Sequence, residues 1–212
     1  MQFAIENKTS GWRMNPLEYK TENRNSKIPS LAACARFFGT CVIGLFIDLY
    51  TKHLAVHRLK LSGDVIQFIP DWLHFEYTEN HGAVFGIGQG QWLLFVIVSV
   101  FAIALLTYLF ATGSKRAFPQ IVLGMLLAGV LGNMYDRVRF NYVRDMIHAL
   151  PGWLNPLRGT FPSWNYVFPW IFNVADIMLC TGVGLTLIMG LFHRPPESHG
   201  EAKRGTSSSS AS

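Results

Sequence analysis

Asp145 and Asp176 are carboxylates set against apolar segments long enough to be membrane spans. An ionised Asp in hydrocarbon is costly, so an acid there reads first as a functional group. Two carboxylates that meet cannot both ionise readily, and one keeps a proton at a raised pKa. The ionised member can then take a proton from water while the other polarises a carbonyl or protonates a leaving amine. Useful polar residues stand near both. Asn133, Asp136 and Arg137 follow the i, i+3, i+4 spacing of one helix face, and Asn173 precedes Asp176 by three. For Asp136 the expected role is structural, as an ion pair with Arg137. Asp176 has no basic residue in its own segment to neutralise it.

Competing chemistries are poorly supported. No Ser–His or Cys–His pair has helpful spacing. His53 and His57 form HxxxH, but the Glu of HExxH and a third ligand are missing, so interfacial packing is expected rather than a metal site. Cys34, Cys41 and Cys180 contain no CxxC pair and read as buried, inert thiols. Neither metal nor cofactor is expected.

The elements that must position these acids are membrane helices. Half of the 212 residues are apolar and only 15% are charged, against about a quarter charged in soluble domains. Gln91–Thr112 and Ala117–Tyr135 carry no charge, Phe168–Phe192 carries only Asp176, and Phe37–Thr51 only Asp48. A spanning helix needs about 20 mainly apolar residues. The expectation is therefore an all-α polytopic membrane protein with four transmembrane helices, at about 37–56, 91–112, 117–137 and 168–192. Residues 1–36 form a polar leader, without the pattern of a cleaved signal peptide. Residues 193–212 form a polar tail, expected to be disordered.

Lys and Arg set the orientation. Lys8, Arg13, Lys20, Arg24, Lys27 and Arg36 precede the first span, Lys115 and Arg116 join the second to the third, and Arg194, Lys203 and Arg204 follow the fourth. These eleven of eighteen lie on one side, which the positive-inside rule makes cytoplasmic, with both termini. The net charge of +5 thus reflects topology, and nucleic acid is not an expected partner. Outside, Leu73, Phe75 and Tyr77 alternate with Trp72, His74 and Glu76, a strand pattern in a small β element on the outer face. The Pro- and aromatic-rich loop 149–170, with Trp153, Trp164, Tyr166 and Trp170, is expected to rest in the interface.

Helix arithmetic constrains the pair. Asp176 lies six residues beyond Trp170, hence about 9 Å into the fourth span. Nine residues separate Asp136 from Asp145, about half a turn out of phase if one helix ran through both. A break is required, and Asn141 suits it because Asn tolerates the left-handed conformation that ends helices. The two acids then meet near the outer leaflet.

Four blocks carry a resemblance: Asp48 with Lys52; Asn80-His81-Gly82-Ala83-Val84-Phe85-Gly86; Gly132-Asn133-Met134-Tyr135-Asp136-Arg137 through Val143-Arg144-Asp145; and Phe172-Asn173-Val174-Ala175-Asp176. In that order, over roughly residues 37–192, they resemble the bacterial lipoprotein signal peptidases, the signal peptidase II family. The resemblance implies an aspartyl endopeptidase of the bacterial inner membrane that cuts prolipoprotein signal peptides just before a diacylglyceryl-modified Cys. Its partners would be those precursors and membrane lipid. It implies Asp145 and Asp176 as the catalytic dyad, Asn80 and Arg137 as contacts to the substrate backbone, and Asn133, Asp136 and Asn173 as supporting polar groups. Asp48 and Lys52 match a motif of structural role, holding the first span near the site.

This chain departs from the family pattern at Arg144, where an apolar residue is usual, and at Met146, where Phe is common. A cation beside Asp145 is expected to lower its pKa and favour it as the ionised base. The stretch between the two acids is also long. A proton- or cation-coupled transporter would use intramembrane Asp as well, but should show internal repeats and a polar path at the midplane. Neither is evident, and a non-catalytic scaffold leaves Asp176 unexplained.

Overall fold

The computed structural model of the protein describes residues 29–82, 90–113, 115–156 and 166–191. The polar leader up to residue 28, the tail from 192, Ala83–Gly86 and Trp164 lie outside the described residues. Helix α1, Leu31–Ala55, begins earlier than the span expected from 37, because Ser30 caps it: its hydroxyl accepts the Ala33 N–H at 3.2 Å. A π-helical turn, Val56–Lys60, continues it. Ala33, Phe37, Cys41, Gly44, Asp48, Lys52 and Ala55 are its buried residues, spaced three and four apart along one stripe. Phe38, Val42, Phe46 and Tyr50 on its other faces are exposed, as lipid-facing side chains of a bundle would be.

Helices α2, Trp92–Thr112, and α3, Ala117–Phe140, pack as neighbours, and α3 touches every other helix. With its π-turn α1 is long and apolar enough to cross a membrane, as are α2 and α3; the fourth helix, α4 (Val174–Leu191), is a shorter apolar one. Close approach is secured by small residues, as in membrane bundles generally. A Cβ on Gly124 would strike the Phe37 carbonyl, and one on Gly132 the Asp48 carboxylate. Phe37 stacks on Phe110 of α2 with ring centroids 4.1 Å apart, at the end of the bundle where Arg36 Nε donates to Gln120 Oε1.

Four antiparallel strands in the order β1-β2-β3-β4 form one sheet: β1 Ile66–Ile69, β2 Leu73–Asn80, β3 Val143–Ala149 and β4 Ile171–Phe172. The alternation around Leu73–Tyr77 is strand β2, as its period suggests. Strand β3 was not legible. Val143, Arg144, Asp145, Met146 and His148 are all buried, so no inside–outside contrast marks it. The fourth helix begins at Val174 rather than Phe168, because Ile171 and Phe172 pair with His148 and Ile147 instead of coiling. Asp176 therefore lies in the first turn of α4, not two turns deep. The architecture is thus mostly helical, with a sheet that carries one of the two acids.

Candidate active site

Helix α3 stops at Phe140 because Asn141 turns left-handed, φ 66° and ψ 10°, with its N–H donating to the Arg137 carbonyl at 3.0 Å. The break expected at this residue is present, and it sends the chain back as β3. Asp145 leaves β3 on the face shared with Val143, whose cross-strand partner is Asn80. Asn80 is thus one diagonal step away, and its Nδ2 donates to Asp145 Oδ2 at 3.0 Å. The amide cannot flip freely, since its Oδ1 accepts the Gly82 N–H at 3.0 Å.

Asp176 is set by the start of α4. Asn173 caps the helix: its Oδ1 accepts the Asp176 N–H at 3.1 Å, and Asp176 Oδ2 accepts the Asn173 N–H at 3.1 Å. This reciprocal pair is a capping box written with Asn and Asp. The amide nitrogen of Asn173 then donates to Asp145 Oδ1 at 2.6 Å, so the residue that caps the helix of Asp176 also holds the Asp145 carboxylate. Asn133 Nδ2 donates to the remaining oxygen of Asp176, Oδ1, at 2.8 Å. Another orphan N–H of α4, that of Ala175, is met from α1 by Asp48 Oδ1 at 2.9 Å.

Below the acids runs a fully buried set of charges. Lys52 Nζ lies 2.9 Å from Asp48 and 3.4 Å from Asp136, and donates to Asn133 Oδ1 at 3.0 Å. Asp136 in turn is gripped by Arg144, whose Nη2 donates at 2.6 Å and whose backbone N–H donates at 3.0 Å. Burying charges is tolerable only when each finds partners of this kind.

Two expectations are corrected here. Asp136 does not pair with Arg137. Successive helix residues diverge by about 100°, so Asp136 points inward to Lys52 and Arg144. Arg137 instead lays its guanidinium over the Phe95 ring of α2, 4.7 Å from the centroid, where the charges of Asp176 and Asp145 reach it. Nor does Arg144 lower the pKa of Asp145. Neighbours on a strand face opposite ways, and Arg144 is spent on Asp136. Burial, then the Asp176 charge, raises the Asp145 carboxyl to about 7, against weaker opposite pulls from Asn80, Asn173 and Lys52. Asp176 is only partly buried, so the pair combines a dry acid with one open to water.

Of the residues singled out from sequence, Asn80, Asn133, Asp145, Asn173 and Asp176 form one hydrogen-bonded cluster, and Asp48, Lys52 and Asp136 underlie it. His53 and His57 stack edge to face on the exposed side of α1. Cys41 is buried as expected, whereas Cys180 faces outward from α4. Phe95 was not anticipated; nothing in an apolar run distinguishes the ring that meets a cation.

The chain matches the protein family described as Signal peptidase (SPase) II over residues 40–192. It is 36% identical over 175 residues to the lipoprotein signal peptidase of Rhodopirellula baltica, covering 79% of this chain and 76% of that one. The lipoprotein signal peptidase of Clostridium tetani is 33% identical over 148 residues, with 69% and 86% covered. Among solved structures, a bacterial membrane enzyme superposes with a TM-score of 0.64 at 28% identity, covering 83% of this chain and 98% of the other.

Proposed function

The chain belongs to the signal peptidase II family, and on that premise we propose that Asp145 and Asp176 are its catalytic pair. It is a membrane aspartic peptidase that removes signal peptides from lipoproteins. What carries the assignment of the dyad is a single arrangement: one residue, Asn173, donates to both carboxylates, to Asp145 from its side-chain amide and to Asp176 from its backbone N–H, and each acid receives a further amide donor from a separate element. Burial, and then the charge of Asp176, raises the Asp145 carboxyl to about 7. Asp145 therefore holds the proton, and Asp176 acts as the ionised base.

In the proposed reaction Asp176 takes a proton from water as the water oxygen adds to the scissile carbonyl carbon. Asp145 delivers its proton to the carbonyl oxygen. Collapse of the tetrahedral adduct breaks the C–N bond as one of its hydroxyls returns a proton to Asp145 and re-forms the C=O, while the proton on Asp176 passes to the leaving amine. Asn80 and Arg137 hold the substrate backbone across the pair, and Asn133, Asp136 and Asn173 hold the acids themselves. Asp48 and Lys52 tie α1 to them.

The substrate is a prolipoprotein cut just before a diacylglyceryl-modified Cys. We place the enzyme in the bacterial inner membrane as a four-span protein, α4 included, with both termini cytoplasmic and the site toward the outer leaflet. The distribution of Lys and Arg supports that orientation. The test is processing of lipid-modified prolipoprotein in a strain dependent on this protein. Asp145→Asn and Asp176→Asn should each stop it, while His53→Ala should not. Normal processing by either Asn variant would remove the dyad assignment.

A further inference from the structure

Lys52 stands out among the buried groups because none of its contacts is with a catalytic acid, yet one of them decides how an acid is held. An ammonium group can only donate. Its contact at 3.0 Å therefore obliges Asn133 to present Oδ1, the acceptor side of its amide, toward α1. The same oxygen accepts from Asn173 Nδ2 at 3.2 Å. With the oxygen committed twice, the Asn133 amide nitrogen is left facing Asp176, to which it donates at 2.8 Å. If the amide turned over, an oxygen would confront the carboxylate of Asp176, and a donor would confront the Lys52 ammonium.

We infer that Lys52 is a positioning residue for the reaction: acting through the Asn133 amide, it keeps a hydrogen-bond donor on Asp176 and so keeps that carboxylate ionised. The inference rests on the dyad reading above and gives the Asp48–Lys52 motif more than a bracing role. Lys52 is held in place for this by Asp48 at 2.9 Å and Asp136 at 3.4 Å, one from its own helix and one from α3. The charged groups around the amide are Asp48 and Lys52 from α1, Asp136 and Arg137 from α3, Asp145 from β3 and Asp176 from α4. Among these, Lys52 alone is a cation that contacts the Asn133 amide oxygen; Arg137 Nη1 reaches the backbone carbonyl of Asn133 instead, at 3.4 Å.

The test is a double-mutant cycle on purified enzyme cleaving a lipid-modified prolipoprotein, read as kcat, KM and the pH dependence of kcat. Lys52→Met is expected to lower kcat by about 10- to 100-fold, the worth of a hydrogen bond to a charged group. KM should change little, and the acidic limb of the profile should move up by about one pH unit. Asn133→Leu should show the same limb, and adding Lys52→Met to it should cost little more, because both act through one amide. Additive losses, or an acidic limb left where it is in the wild type, would overturn the inference. Should Lys52→Met not fold, Lys52→Arg serves, as it keeps a donor-only cation: its acidic limb should stay at the wild-type position, and a shifted one overturns the inference. Failure of the dyad reading is separate, because it would appear as activity in Asp145→Asn or Asp176→Asn.

Discussion

Arg144 and Asp145 are consecutive in strand β3, yet their side chains serve opposite faces. Arg144 grips Asp136 with its guanidinium and its backbone N–H, while Asp145 receives the amides of Asn80 and Asn173. A residue that ought to depress the acid's pKa by proximity in sequence is removed from it by the pleat. What dominates around Asp145 is burial and then the second acid, and both raise it against the weaker lowering by Asn80, Asn173 and Lys52.

Activity should therefore fall as pH rises through about 7, where Asp145 gives up its proton. Stability follows the same group. Its pKa is higher folded than unfolded, so its stabilising contribution is complete below about pH 4 and is lost as pH rises through about 7. Asp145→Asn should flatten the dependence of Tm on pH over that window. Above it the variant should unfold at a higher temperature than the wild type, though inactive. Thermal unfolding in detergent across pH would check this, and parallel curves for the two proteins would refute it.

Replacing Arg144 by Leu tests the buried charges. Asp136 would keep Lys52 and the backbone N–H but lose its guanidinium, at a cost of about 1.5–3 kcal/mol. The basic limb of the pH–rate profile should stay in place, because Arg144 does not contact Asp145. A downward shift of that limb by a full unit would contradict this.

Asn141 separates a helix from a strand. Asn141→Gly should be tolerated, since glycine reaches φ 66° without strain. Asn141→Val should cost more than about 1 kcal/mol and reduce kcat, because a β-branched residue resists that conformation and would let α3 run on. Equal Tm and kcat for the two variants would show that the turn does not depend on this conformation.

Gly132→Ala probes the approach of α1 to α3. A Cβ there meets the Asp48 carboxylate, which is itself bonded to the Ala175 N–H at the start of α4. Overpacking of this kind costs about 1–3 kcal/mol. Activity measured well below Tm should drop as well, since the displaced carboxylate steadies the helix that carries Asp176. Loss of stability with full activity would separate Asp48 from the site.

The bundle was legible because hydrocarbon enforces its own pattern: long uncharged runs and Asp residues that need a reason. So was the break at Asn141, from phase alone. Strand β3 was hidden because it is buried on both faces, and the true start of α4 was hidden because β4 pairs with a segment far away in the chain. The partner of Asp136 could not be read from its neighbour Arg137 for the same cause, since eight residues and a reversal bring Arg144 to it.

By itself, then, the sequence determined the helices, the presence of two acids and the polar residues at their disposal, since these follow from local composition, spacing and the cost of charge in lipid. Only the tertiary structure decided which acid is dry and which is open, and which way each amide points. Those depend on a strand's alternation, on a helix cap and on a lysine 81 residues from the asparagine it orients. A hydrogen bond's direction is a property of every group around it, and no local pattern records that.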